Sequence, residues 1–364
     1  MNKSLKGNKG EVSKKMMIAI AVMIVAIIAI VGAVYLMKND ETRGWNKKLG
    51  VIETDEGIKI PLPEGFKKLD ITNKINEGIV IEDNDGNQFV WVPVDFAKFK
   101  RETFGLDPNQ VGYRIILVDK EEDRDVDWEG VLANPGDYQE TSGGIWEPTE
   151  EKEYKELMES VEKYGGFYIG RYEATYVSGS REAKDYIPGS KKSVMATEVA
   201  ETEYEEGMLF NQISLNEAIA ASKKMYEDNE TVVSHLPYGI EWDATLRWFI
   251  DSKSRTLAEI NENSGEWGNT AIDKFSGEEV KIANTGEFEE TKTNNIYDIS
   301  GNVFEWSNEY FASKGCGIFR GSFIRSYSEG FAFDSHAGTR SWVTAENDTT
   351  RRGSVGFRVF LYVK

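Results

Sequence analysis

An α+β fold of many short strands and loops with two or more helices, preceded by one transmembrane helix, is what this 364-residue sequence predicts. Three observations carry that reading. Aromatic and glycine usage is heavy, with nine Trp, sixteen Tyr, eighteen Phe and 34 Gly. Glycine costs about 1 kcal/mol in a helix interior, so a turn-rich globule fits better than a helix bundle. Short β-rich runs alternate with a few stretches of helical spacing. An uncharged apolar run, Met16 to Met37, stands apart near the N-terminus.

Residues 1–15 form a basic cytoplasmic tail in this reading, with Lys3, Lys6, Lys9, Lys14 and Lys15 offset only by Glu11. At 1.5 Å per residue, residues 16–37 span a hydrocarbon core of about 30 Å. The lysines before the run, and the mixed Lys38, Asp40, Glu41 and Arg43 after it, favour an N-in orientation. The expectation is a single-pass cell-membrane protein with an extracellular C-terminal domain. Signal cleavage at Val31-Gly32-Ala33, giving a secreted protein, is the alternative. Residues 38–75 read as a stalk, interrupted by Gly50, Gly57, Pro61, Pro63 and Gly65. Residues 76–364 read as one domain.

Within that domain, Gly78–Asp83 and Gln88–Val94 flank Asn84-Asp85-Gly86-Asn87, a hairpin pattern. Residues 100–150 read as a loop-rich insertion. Glu150 to Lys163 has helical spacing, with Tyr154, Leu157, Met158 and Val161 on one face. A strand is expected at 166–173, then a second polar insertion at 178–207. Ser214 with Glu217 has capping-box spacing and predicts a helix burying Ala218, Ile219, Ala221 and Met225. Another helix is expected at 239–250, with Trp242, Leu246 and Phe249 along one side.

A net charge of −19 argues against a nucleic-acid partner. The single cysteine, Cys316, excludes an intrachain disulfide and any cysteine-rich metal site. The most informative stretch is Asn294 to Ser307, which couples the turn dipeptide Gly301-Asn302 to Glu305 between Phe304 and Trp306. If buried, that carboxylate needs a cation, a metal or backbone donors.

Several motifs in order resemble the formylglycine-generating enzyme, or sulfatase-modifying-factor, family. They are Phe167 to Thr175, Ile213 to Ala218, Leu236 to Trp242, Asn295 to Trp306, Arg320 to Phe323, and Gly356 to Val359. The resemblance implies a C-type-lectin-like fold with loops held by aromatic plugs. It makes Trp242, Trp306 and Phe357 core anchors, and Arg171, Arg320 and Arg358 structural partners of Glu241 or Glu305. Family enzymes use paired cysteines just after the "GGS" motif to hold copper, and residues 321–331 contain none. The iron-dependent sulfoxide synthases of this type need several histidines, against His235 and His336 here. No catalytic residue, copper or iron is therefore expected. The resemblance also implies a calcium site at Asn302, the Val303 carbonyl and Glu305, all hard oxygen ligands. The alternative is that Glu305 pairs with an arginine and no ion is present.

Between Phe323 and Gly353, large anchors sit among small polar residues, a paratope-like composition. Arg325, Tyr327, Phe331, Phe333, His336, Trp342, Asn347 and Asp348 are the candidate ligand-binding residues. The favoured reading is a membrane-anchored module binding an extracellular protein or glycan. Some relatives are variable proteins of diversity-generating retroelements, and this chain could share that role. A divergent formylglycine-type oxidoreductase acting on sulfatases, and a structural surface component, are the alternatives.

Overall fold

The computed structural model describes residues 42, 44–102, 104, 117–118, 145–146, 148, 151–180, 183, 185–196, 204–261, 264–269, 282–311, 316–323, 336–342 and 351–364. The chain divides into two units, Met1–Trp45 and Asn46–Lys364. Of the first, only residues 42, 44 and 45 are described, and the elements named below all belong to the second.

The second unit opens with β1 (Gly50–Glu53) and β2 (Lys59–Leu62), an antiparallel hairpin. Next come β3 (Phe66–Lys68), β4 (Val80–Asp83) and β5 (Gln88–Pro93). The β4–β5 turn is made locally: Asp83 Oδ1 accepts from the backbone N–H groups of Asp85 and Asn87, at 2.9 and 2.8 Å. Strands β6 (Leu117–Val118) and β7 (Ile145–Trp146) precede helix α1 (Lys152–Tyr164). Helix α1 buries Leu157 and Val161 and stops at Gly165, whose φ of 76° is the left-handed conformation of a helix terminator.

Strands β8 (Gly166–Gly170), β9 (Thr175–Ser178) and β10 (Ile187–Gly189) come next. Helix α2 (Leu215–Lys224) carries the capping box: the Ser214 hydroxyl accepts from the Glu217 N–H, and the Glu217 carboxylate accepts from the Ser214 N–H. After β11 (Val232–His235) come α3 (Gly239–Asp251) and the short α4 (Leu257–Asn261). The chain finishes with β12 (Phe304–Phe311), β13 (Cys316–Arg320), β14 (Arg340–Trp342), β15 (Val355–Gly356) and β16 (Phe360–Val363).

Among the described residues, one six-stranded sheet runs β11-β16-β8-β5-β4-β3 and is antiparallel throughout. The other runs β14-β13-β12-β7-β6, with β15 parallel to β12 and β6 parallel to β7. Strands β9 and β10 make a separate pair. The main core packs Val90, Phe167, Ile169 and Phe360 of the first sheet with Leu157 and Val161 of α1 and Trp242, Leu246 and Phe249 of α3.

Two expectations need correcting. The α+β, C-type-lectin-like fold behind a transmembrane helix gives way to a mixed α/β assembly of several sheets and few helices. Among the described residues no helix is long and apolar enough to cross a membrane, and the run Met16–Met37 lies outside those residues. The sheets are joined by strands distant in sequence, as β16 between β8 and β11 shows, and local periodicity carries no sign of such pairing. Within residues 38–75, β3 pairs with β4. The stretch 178–207 contains β10. Most of the 100–150 insertion lies outside the described residues.

Candidate functional site

Positive backbone φ concentrates in the segment that stands out in the sequence: Asn294 (47°), Asn295 (64°), Asp298 (59°), Gly301 (92°) and Asn302 (59°). Asparagine and aspartate tolerate this conformation, and side-chain bonds hold it. Asn295 Nδ2 donates to the carbonyls of Glu77 and Gly78, both at 2.9 Å. Asp298 accepts from the hydroxyls of Thr285 and Thr291 and from the Gly286 N–H, at 3.1, 2.7 and 2.8 Å.

Glu305 is buried and held by a fork with Arg358, at 3.0 Å (Nε–Oε2) and 2.6 Å (Nη2–Oε1). The same guanidinium donates to the carbonyls of Gly170 and Tyr297. Beside it, buried Glu173 accepts from Asn302 Nδ2 at 2.5 Å and from the Val303 N–H at 3.2 Å. Burial pushes the Glu173 carboxyl well above the usual range, and the nearby Asp298 and Glu305 add to the rise.

These contacts test the implied calcium ligands. Both Glu305 oxygens are engaged by Arg358, and Asn302 Oδ1 accepts from the Ala283 N–H at 2.8 Å and from Asn269 Nδ2 at 3.4 Å. With their oxygens turned to protein donors, Asn302 and Glu305 do not fit a cation as arranged, and the Val303 carbonyl alone makes no site. Among the described residues, no group of three or more His, Cys, Asp or Glu side chains could hold a metal ion.

A second buried cluster corrects the expected partner of Arg320, which pairs with Asp243 and Glu309 and not with Glu241 or Glu305. Arg320, at the end of β13, and Arg340, at the start of β14, lie opposite each other in the strand register. Both reach Asp243 on α3 and Glu309 on β12. Arg320 does so at 2.9 and 2.8 Å, and Arg340 at 2.6 and 3.0 Å. Arg101, beyond β5, also pairs with both carboxylates. Glu309 sits where the β12–β13 register shifts, between Trp306 and Tyr310. Such an irregularity re-aims side chains, and here the Asn308 N–H turns to the Pro237 carbonyl while Glu309 enters the cluster.

Gly239 makes room for that carboxylate, since a Cβ there would lie 2.3 Å from Glu309 Cδ. Burial alone would raise the pKa of Asp243 and Glu309, but the three arginines outweigh it and hold both carboxyls below their usual range. Asp243 shares the buried face of α3 with Leu246. An acid on an apolar stripe is the available sign of a buried partner.

Of the eight candidate ligand-binding residues, Arg325, Tyr327, Phe331, Phe333, Asn347 and Asp348 lie outside the described residues. Trp342 belongs to β14, opposite Ile318 of β13. His336 is half-buried in the turn before β14, where its N–H donates to the Thr339 hydroxyl and its carbonyl accepts from the Thr339 N–H. The adjacent Ala337 is buried, and its carbonyl accepts from the Trp242 indole at 3.1 Å. The structure thus places these two of the eight on the chain that flanks Arg340, one of the cluster's arginines.

No family model matches the chain. No curated protein matches it either. Among solved structures, one described as the crystal structure of CarF is similar at 15% identity with a TM-score of 0.38, covering 55% of this chain and 87% of that one. At that TM-score the likeness assigns neither family nor activity.

Proposed function

We propose that the chain is a non-catalytic relative of the formylglycine-generating enzymes that binds a protein or glycan ligand. The contact residues in this reading are Arg325, Tyr327, Phe331, Phe333, His336, Trp342, Asn347 and Asp348. The supporting observation is the buried cluster at Arg320 and Arg340, the two feet of the segment carrying most of these residues. Rigid elements with locked ends can present adaptable loops, and that is how binding surfaces tolerate sequence change. The family part of the proposal rests on the ordered motifs, and its non-catalytic part on the lack of cysteine in residues 321–331.

Binding is tested by screening residues 46–364 against glycan and surface-protein arrays, then repeating any hit with Tyr327→Ala. A hit that survives Tyr327→Ala and Arg325→Ala unchanged moves the surface elsewhere. Catalysis is tested with a Cys-x-Pro-x-Arg peptide and copper, where formylglycine formation would overturn the non-catalytic reading. Membership among retroelement-diversified proteins would show as an adenine-mutagenised template repeat beside the gene.

A further inference from the structure

His235 and Glu241 form a wholly buried pair, with Nε2 2.8 Å from Oε2. The pair joins the end of β11 to the first turn of α3. The same carboxylate oxygen accepts from the Tyr238 N–H at 3.0 Å, while Oε1 has no hydrogen-bond partner. Among the described residues His235 is the one cationic partner of Glu241. A carboxylate charge buried with a single backbone N–H would be costly, and the imidazole of His235 is the group placed to compensate it.

The surroundings reinforce this. Aromatic rings of Tyr238, Phe360 and Tyr362 pack around His235 at 5.8, 6.5 and 5.4 Å. The tyrosines are neutral, with pKa values raised by burial and by acidic neighbours. On α1, Glu153 bonds the Tyr238 hydroxyl and Glu156 bonds that of Tyr362. The nearby cations are engaged by those same acids: Lys223 of α2 by Glu153, and Lys152 by Glu156. The field at the imidazole is therefore acidic from α1 and α3 alike. Burial opposes the charged ring, but the Glu241 carboxylate, aided by Glu153, outweighs it and raises the His235 pKa above 6.5. Nδ1 itself makes no hydrogen bond of proper geometry.

We propose that His235 and Glu241 are a proton-operated latch between β11 and α3. With its proton the pair is net neutral and closed. At alkaline pH the proton passes to solvent and leaves one uncompensated negative charge in the core, which favours opening. The connector they bracket, Leu236-Pro237, accepts the Asn308 side-chain and backbone N–H groups at 2.9 and 2.8 Å. Opening would therefore loosen β12 next to Glu309.

The chain has only two histidines, which makes the test direct. Imidazole C–H resonances of the full chain are followed by NMR across pH, with His336→Gln to assign the signals. The expected result is a His235 midpoint above 6.5, with the thermal midpoint falling as pH rises through it. A His235 midpoint at or below 6.5 overturns the proposal, as does a ring that keeps one protonation state to the alkaline limit of folding. Glu241→Gln should move the midpoint down, and an unmoved midpoint would remove Glu241 from the latch. Because the wild-type titration needs no folded variant, failure of Glu241→Gln to fold leaves the first two outcomes decisive.

Discussion

Arg320 and Arg340 face each other across β13 and β14 and share both Asp243 and Glu309. With Arg101, three guanidinium groups meet two carboxylates in a buried space. The arrangement ties α3, β12, β13, β14 and the chain beyond β5 together at one point.

The charge count makes the cluster sensitive to which member is lost. Glu309→Gln leaves three arginines around one carboxylate and should cost about 3–5 kcal/mol, the range for breaking a buried pair from one side. Arg101→Met leaves two charges of each sign and should cost less. Urea unfolding of both variants checks the order. A larger loss for Arg101→Met would mean that its anchoring of the chain beyond β5 outweighs the charge balance.

The same cluster sets an acid dependence. Asp243 and Glu309 have depressed pKa values, so their stabilisation is present above the unfolded values of 3.8 and 4.5 and is lost as pH falls through the folded ones. The stability gap between wild type and Glu309→Gln should be flat from about pH 7 to about pH 5 and shrink below that. Thermal melts at stepped pH measure the gap. A gap that closes above about pH 5 would show that the arginines do not control these carboxyls.

Legibility in the sequence tracks how local each feature is. The Asp83–Asn87 turn, the Ser214–Glu217 box and the apolar face of α3 are readable because each is decided within a few residues. The Arg358–Glu305 fork is visible only as one option, since both residue types stand in the sequence without any sign of distance. The role of Asp243 and Glu309 is hidden because it depends on a register shift in β12 and on chain brought from residues 101, 320 and 340. Nor does any local pattern show that β16 slots between β8 and β11. Glu241, for which the motif resemblance implies an arginine partner, pairs instead with His235 six residues before it.

Gly239 supplies a prediction in which two effects oppose each other. Alanine is the better helix former, by less at this first position of α3 than the about 1 kcal/mol of a helix interior, yet its Cβ would lie 2.3 Å from Glu309 Cδ. Three arginines pin that carboxylate, so it cannot swing aside. Gly239→Ala should therefore be destabilising by about 1–3 kcal/mol, the usual cost of overpacking. A neutral or higher thermal midpoint would mean that the carboxylate moves freely and the cluster is not rigid.

Chelation addresses the implied calcium site. Because the oxygens of Glu305 and Asn302 already accept from protein donors, adding EGTA to purified protein should leave the thermal midpoint unchanged. A clear fall, restored by added calcium, would require the Arg358 fork to open in the ion-bound protein.

The last prediction separates scaffold from surface with two aromatic residues. Trp306 is buried on β12, and its indole N–H donates to the Ile213 carbonyl at 2.9 Å. It also packs edge-on against Phe319. Trp306→Ala should cost about 3–5 kcal/mol, the usual range for emptying an aromatic site. Tyr327 lies outside the described residues and belongs to the proposed contact surface. Tyr327→Ala should stay within about ±0.5 kcal/mol in stability, as surface changes do. It should nonetheless weaken binding by more than about 1 kcal/mol once a ligand is in hand, as an aromatic hot spot would. Chemical denaturation and titration calorimetry on the pair give the two numbers independently. Equal destabilisation by both substitutions would make Tyr327 a core residue, and the proposed surface would lose its central anchor.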